Sequence, residues 1–260
     1  MRAVILAAGQ GTRLRPLTDD RPKALVDLCG MSLIERQVRA LQRCGIERIF
    51  TVGGYRADQL AERGYLTHEN RRFADTNMVA TLFACARDLF AGVDDLIVSY
   101  GDIVCEPRII HTLMQSQAEI AVAVDVGWRS YWELRHREPL SDAETLKFDG
   151  AGCLRELGKK PNGYGDIEAQ YMGLFKVRAD RLAPLLACYD SLDHDARYDG
   201  QTFDGMYMTS FLQHLIDHGW RLEGVRVEHG WLEVDSTADL ALYQRLQSQG
   251  QLRDLCALES

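Results

Sequence analysis

The chain alternates short apolar runs with stretches rich in glycine and charge, and the runs have the lengths of strands and of one-sided helices. Val4-Ile5-Leu6, Ile46 to Val52 and Asp95 to Tyr100 are nearly continuous apolar segments of strand length. Between the first two, Ser32 and Glu35 are spaced as a capping box for a helix through Arg43, and Gly45 stands where a C-terminal cap belongs. Strand, loop, helix, strand, with apolar runs that do not alternate, predicts a parallel sheet covered on both faces. Right-handed crossovers then put ligands at the carboxyl ends of the strands. Thr76-Asn77 ahead of Met78 to Ala84 predicts a capped helix. Trp128, Tyr131 and Trp132 mark a helix with an aromatic cluster, and Lys147 to Gly150 reads as a strand entering a hairpin turn. Glu168 to Phe175 reads as a strand whose Gly173 admits a close neighbour. Helices follow at Tyr207 to Ser210 and, after a strand from Trp231 to Asp235, at Ser236 to Gln249. The expected class is α/β: a Rossmann-like, mostly parallel sheet with helices on both faces and a small β/α insertion.

Composition narrows this to one domain. With 260 residues, 46% of them hydrophobic, and no linker, residues 1–260 suit a single α/β unit. A net charge of −8 argues against nucleic acid or an anionic membrane as the main partner, and no apolar run is long enough to insert in a bilayer. Seven scattered cysteines (Cys29, Cys44, Cys85, Cys105, Cys153, Cys188, Cys256), with no Cys-x-x-Cys spacing, read as reduced, mostly buried thiols of a cytoplasmic protein. The seven histidines lack ligand spacing and read as surface or core residues. Beyond Gln249 the chain reads as a frayed tail or an oligomer contact, so a homodimer is one reading.

The chemistry starts at Leu6 to Val26, LAAGQGTRLRPLTDDRPKALV. Gly9 and Gly11 let the backbone turn and aim N–H groups at phosphate oxygens. Arg13 and Arg15 bring planar, forked cations, and Pro16 and Pro22 stiffen the path to Lys23, a point charge suited to an α-phosphate. Leu14 stands where a dinucleotide fingerprint needs a third glycine, and Thr12-Arg13 after Gly11 breaks the P-loop pattern.

These residues resemble the nucleotidyltransferase family that makes NDP-sugars and CDP-alcohols, whose opening runs LAAGxGTRLxPLTxxxPKxLV, and the chain is similar to its phosphocholine cytidylyltransferase-like branch. The resemblance implies a glycosyltransferase-A-like nucleotidyltransferase fold. It implies a mainly nucleotide-binding half at 1–126, a mainly acceptor-binding half at 127–235 and a C-terminal helix and tail at 236–260. The nucleotide-binding set it implies is Leu6, Ala7, Ala8, Gly9, Gly11, Thr12, Arg13, Lys23, Asn77, Thr81 and Gly101. Asn77 has two readings, a helix cap or a nucleotide contact; Asn77-Met78-Val79-Ala80-Thr81-Leu82 is similar to relatives that transfer CMP.

Two aspartates sit at expected strand tips. Asp102 follows the strand ending at Tyr100, and Asp235 ends the strand from Trp231, where Ser236 or Thr237 could cap the next helix instead. Both are read as Mg²⁺ ligands, in agreement with the family's two metal-binding aspartates, and Glu233 lies on the same strand face as Asp235. Lys159-Lys160-Pro161 resembles the family's acceptor-phosphate Lys-Pro, with Lys160 ahead on register. The acceptor-binding set is Lys160, Glu168, Tyr171, Trp128, Asp142 and Glu233. A quaternary ammonium would want an aromatic box, for which Trp128, Tyr131, Trp132, Tyr171 and Trp231 are available. An amino-acid headgroup would want acids and bases, which Glu168, Asp142 and Arg129 or Arg135 offer.

The catalytic set is Arg13, Lys23, Asp102 and Asp235, with CTP and a small phosphorylated acceptor as partners and Mg²⁺ as cofactor. The expected reaction moves CMP onto a phosphorylated or phosphonylated amine or amino acid and releases pyrophosphate. No Ser-His-Asp or Cys-His set is evident, and an ionised acceptor needs no base. A sugar-1-phosphate uridylyl- or thymidylyltransferase is the first rival. The second is a non-catalytic nucleotide sensor or assembly subunit, against which Lys23, Asp102 and Asp235 argue.

Overall fold

The first apolar run forms β1, Arg2–Ala7, buried along its whole length. The computed structural model describes residues 1–84 and 89–258. A short antiparallel ribbon, β2 (Asp27–Leu28) with β3 (Met31–Ser32), leads into helix α1, Leu33–Arg43. Ser32 Oγ accepts the Glu35 N–H at 3.4 Å, but the Glu35 carboxylate turns to Arg39 at 2.8 Å, so only half of the expected capping box forms. Gly45 takes the left-handed conformation just past the helix, as a C-terminal cap requires.

β4 (Arg48–Gly53), helix α2 (Ala57–Glu62) and β5 (Leu66–Glu69) complete the first half of the sheet. Helix α3 is Met78–Ala84, and β6 is Leu96–Tyr100. Cys85 lies outside the described residues; the other six cysteines are unpaired thiols. β7 (Ile103–Cys105), α4 (Pro107–Gln115), β8 (Ile120–Asp125) and α5 (Trp128–Arg135) follow. The expected hairpin is β9 (Leu146–Phe148) with β10 (Leu154–Leu157). Then come β11 (Gln170–Val177), α6 (Leu182–Asp190), α7 (Met208–Asp217), β12 (Leu222–Val227), β13 (Trp231–Glu233) and α8 (Thr237–Ser248).

Seven strands form one sheet in the order β12-β8-β11-β6-β1-β4-β5. All neighbours are parallel except those of β11, which runs antiparallel to β6 and β8. Alternation along β1 separates two cores: Ala3, Ile5 and Ala7 face the side covered by α1, α4, α5 and α8, and Val4 and Leu6 face that covered by α3, α6 and α7. β1 lies between β4 and β6, so its carboxyl end opens at the point where strand order reverses, the usual crevice for a ligand.

Two close approaches fix that crevice. Gly101 donates its N–H to the Leu6 carbonyl at 2.9 Å, and a Cβ there would lie 2.7 Å from that oxygen and 2.9 Å from Ala7 Cα. Because the obstacles are backbone, Gly101→Ala is expected to lower folding stability by about 2 kcal/mol, measurable by urea unfolding. Gly173 has φ +75° at a bulge in β11, and its missing side chain admits the Tyr100 ring.

The carboxyl-terminal segment departs from the expected frayed tail. Leu252, Leu255 and Cys256 are buried, the Leu255 carbonyl accepts the Gly230 N–H, and Ala257 donates to the Glu106 carboxylate. The apolar side chains of this stretch are too few to show a helical period, which is why the pattern alone did not place it. Among the described residues, no helix is long and apolar enough to cross a membrane.

Candidate active site

The loop after β1 turns at Gly11, which has φ +72° and lies against the Lys23 stem; a Cβ at Gly11 would sit 2.9 Å from Lys23 Cβ. The Gly11 carbonyl accepts from Leu14 N–H and from Thr18 Oγ1 at 2.8 Å, closing the turn. Gly9 needs no left-handed backbone; the space where its side chain would project is open, leaving the loop surface bare. Pro22 is extended, and a single 3-10 turn, Lys23–Leu25, follows it. The lysine is therefore aimed by a restrained backbone.

Lys23 Nζ donates to Asp102 Oδ2 at 2.8 Å and to Asp235 Oδ1 at 2.6 Å. Arg13 reaches the same Asp235 oxygen at 3.2 Å from a largely exposed position. Two acids separated by most of the chain meet because β7 and β13 pair antiparallel, with Ile103 opposite Glu233, and Val234 donates its N–H to the Asp102 carbonyl at 2.9 Å. Ser236, not Asp235, caps α8, in a complete capping box with Asp239. Asp235 is thereby free for other chemistry.

Asp102, Glu233 and Asp235 each offer a carboxylate oxygen within 4.8 Å of the others. Asp102 Oδ1 is buried and has no hydrogen-bond partner. A hard, oxygen-only donor set with one donor orphaned fits a divalent cation such as Mg²⁺. Arg135 stands behind this group. Its side chain is 1% exposed, and it pairs with Glu233 at 2.6 Å, Asp239 at 3.0 Å and Asp235 at 3.6 Å while packing over the Tyr131 and Trp132 rings.

Charges follow this layout. Burial works to lower the Lys23 pKa, but Asp102 and Asp235 outweigh it, so the ammonium is held charged above its ordinary range. Burial opposes ionising Asp235, and Lys23, Arg13 and Arg135 overcome it, holding that carboxyl below its usual value. Glu233 is pushed up to about 7, by burial first and then by Asp235 and Asp102, against the pull of Arg135.

A cavity of about 310 Å³ opens from this group. Of the sequence-predicted residues, Arg13, Asn77, Asp102, Trp132, Asp142, Tyr171, Glu233 and Asp235 line it. Leu6 and Ala7 end β1 beneath it; Ala8 is buried, with its carbonyl accepting the Tyr55 N–H; Thr12 is exposed on the loop. Asn77 starts a helix and lines the cavity. Its carbonyl accepts the Thr81 N–H to start α3, and its amide donates to the Gly205 carbonyl at 3.4 Å while facing the cavity. Thr81 is buried on α3, its hydroxyl accepting from Asn70.

Three acceptor candidates lie outside the cavity lining. Trp128 is 4% exposed and packs against Trp132 and Tyr164. Glu168 is exposed, with Oε2 accepting the Phe148 N–H at 3.3 Å. Lys160 is exposed, as is Lys159, whose backbone pairs with Thr145. Of the two arginines offered as carboxylate partners, Arg129 pairs with Glu133 and covers Tyr164, and Arg135 is spent on the acids. The wall instead includes Glu144, Gln170, Tyr207 and Thr209. Glu144 carried a signal, two positions after Asp142 in a run of acids; Gln170 and Thr209 carried none beyond their neighbours.

The family model of the MobA-like NTP transferase domain matches residues 3–167. The CTP:phosphoglutamine cytidylyltransferase of Campylobacter jejuni is 43% identical over 251 residues, covering 92% of this chain and 98% of that protein. The N-acetylmuramate alpha-1-phosphate uridylyltransferase of Caulobacter vibrioides is 34% identical over 251 residues, covering 94% of this chain and 96% of its own length. Among solved structures, the inositol-1-phosphate CTP transferase from T. maritima superposes with a TM-score of 0.73 at 18% identity, covering 98% of this chain and 97% of that one, a likeness of fold.

Proposed function

The chain belongs to the MobA-like NTP transferase family, and from that premise we propose that it moves CMP from CTP onto a small phosphorylated amine or amino acid, releasing pyrophosphate. The observation that carries this reading is the end-to-end likeness, at 43% identity, to a cytidylyltransferase acting on phosphoglutamine.

The residues supply what the chemistry needs. An acceptor phosphate or phosphonate is already ionised near neutral pH, so its oxygen attacks the α-phosphorus in line without a general base. One P–O bond forms as the bond to the β-phosphate oxygen breaks, and the electron pair leaves with pyrophosphate. The bare loop at Gly9 and Gly11, with Thr12 and Arg13, holds the departing phosphates in this account, and Lys23 serves the α-phosphate. Asp102 and Asp235 would hold Mg²⁺, with Glu233 beside them, and the ion would neutralise charge on the phosphate oxygens. Arg135 keeps the two acids of β13 and its following turn in place. The unpaired thiols support a setting in the cytosol.

The test is pyrophosphate release across CTP, UTP and dTTP against phosphocholine, 2-aminoethylphosphonate, phosphorylated glutamine and hexose 1-phosphates. Turnover is expected to require CTP and a phosphorylated amine. The 34% identity to a uridylyltransferase makes the sugar arm necessary; a requirement for UTP with a sugar phosphate would overturn the reading.

A further inference from the structure

Resting on the cytidylyl-transfer reading, we infer that Glu144 selects the acceptor by holding a primary ammonium group in the cavity, and that the site thereby prefers a phosphorylated primary amine or amino acid to a trimethylammonium compound. Glu144 faces the cavity from the turn before β9 and is mostly buried. Its backbone is pinned in both directions by one buried side chain: Gln170 Oε1 accepts the Glu144 N–H at 3.1 Å, and Gln170 Nε2 donates to the Glu144 carbonyl at 2.5 Å. Thr209, on the same wall, fits closely because Gly158 has no Cβ to meet it, and it favours the ionised carboxylate. The group is held in place, yet among the described residues no cationic side chain pairs with it. The charges that act on it, Asp142 and Asp199, are both acidic.

The cavity is therefore electrically two-sided. Lys23 and Arg13 act on Asp235, where phosphates are expected, and the wall at Glu144 and Asp142 presents acids, with His136 outside the lining at 3.2 Å from Asp142. A ligand with a phosphate and an ammonium matches both parts, and an N–H donor gives a buried carboxylate the partner that burial otherwise denies it.

A trimethylammonium group has no N–H and needs ring faces instead. Most of those faces are taken; Tyr207, 47% exposed on the cavity wall, offers a single ring, which does not make a box. Trp128, Tyr131 and Trp231 are 4%, 1% and 2% exposed and pack against one another or against Trp132. Trp132 is equally buried, with its indole N–H given to Asp142 at 3.0 Å. Tyr171 meets the Tyr100 ring edge to face, and its hydroxyl, buried on the cavity wall, has no hydrogen-bond partner, so it too is suited to a polar ligand.

The experiment measures acceptor KM, CTP KM and kcat for the native chain and Glu144→Gln, with phosphorylated L-glutamine, its desamino analogue and phosphocholine. Glu144→Gln keeps volume and removes charge; since burial disfavours that charge, the variant should melt no lower than the native chain. Its KM for phosphorylated glutamine is expected to rise about 10- to 100-fold, the size of one hydrogen bond to a charged group. Its kcat and CTP KM should stay within about threefold, and the desamino analogue should bind native and variant chains alike. Glu144→Asp, charged but shorter, should fall between them. Equal KM changes with and without the amine would overturn the inference, as would native preference for phosphocholine. Absence of CTP turnover with every phosphorylated amine would overturn the cytidylyl-transfer reading itself, and this inference with it.

Discussion

A Lys23→Met protein is expected to lose turnover by a factor on the order of 10² to 10³, with most of the loss in kcat. Methionine retains the stem that lies over Gly11 and removes only the charge that spans Asp102 and Asp235. The chemistry concentrates negative charge on phosphate oxygens as pyrophosphate leaves; Lys23 is fixed and largely shielded from water, whereas Arg13 is mostly exposed and the buried Arg135 is held by Glu233, Asp235 and Asp239. A cation in a dry site acts more strongly than the same charge in solvent. Removing it also leaves two acids facing each other, at a cost on the order of 3 kcal/mol of folding stability. Added divalent cation should restore part of that stability without restoring turnover. Steady-state assays run well below the variant's melting temperature separate the two effects. Native turnover by Lys23→Met would remove the lysine from the reaction.

Asp102→Asn is the second. Its Oδ2 takes the Lys23 hydrogen bond, while Oδ1 is buried with nothing to bond to. Asparagine conserves the shape but substitutes a neutral amide for the acid, and Mg²⁺ and Mn²⁺ sites favour carboxylate oxygens. We expect Mn²⁺ affinity, followed by electron paramagnetic resonance of the free ion, to fall at least about tenfold and kcat to fall on the order of a hundredfold. Asp235→Asn should behave similarly, moderated by the arginines that also reach Asp235. Unchanged Mn²⁺ affinity would take Asp102 out of the metal site.

Legibility in the sequence followed the range of the interactions. The strand from Arg2, the turn at Gly11, α1 with its Gly45 cap, and the aspartates at two strand tips were all readable, because each depends on a few adjacent residues. What the amino acids do not announce is which side of an irregular segment faces inward. Trp128, Tyr131 and Trp231 have the composition of an aromatic box, but they consume their ring faces on one another, since burying large rings against each other gains more than lining a wet cavity. Arg135 looked like a carboxylate anchor for a ligand and is one for the protein's own acids. Its partners, Glu233 and Asp239, lie about a hundred positions away, and no local pattern encodes that pairing. Glu168 fell to the hairpin edge by hydrogen-bonding Phe148, and Gln170, two residues on, took the inward place beside Glu144.

The lysine bridge has a thermodynamic corollary for how reactants assemble. At rest the two aspartates share one tethered ammonium at 2.8 and 2.6 Å, so a bare ion must compete with an internal counter-ion that never diffuses away. On the proposed reading, a triphosphate would remove that competitor by giving Lys23 a better anion to serve. Nucleotide and ion should therefore reinforce each other's binding by equal factors, on the order of 10 to 100. The polypeptide thus keeps its acids quiescent in the absence of fuel.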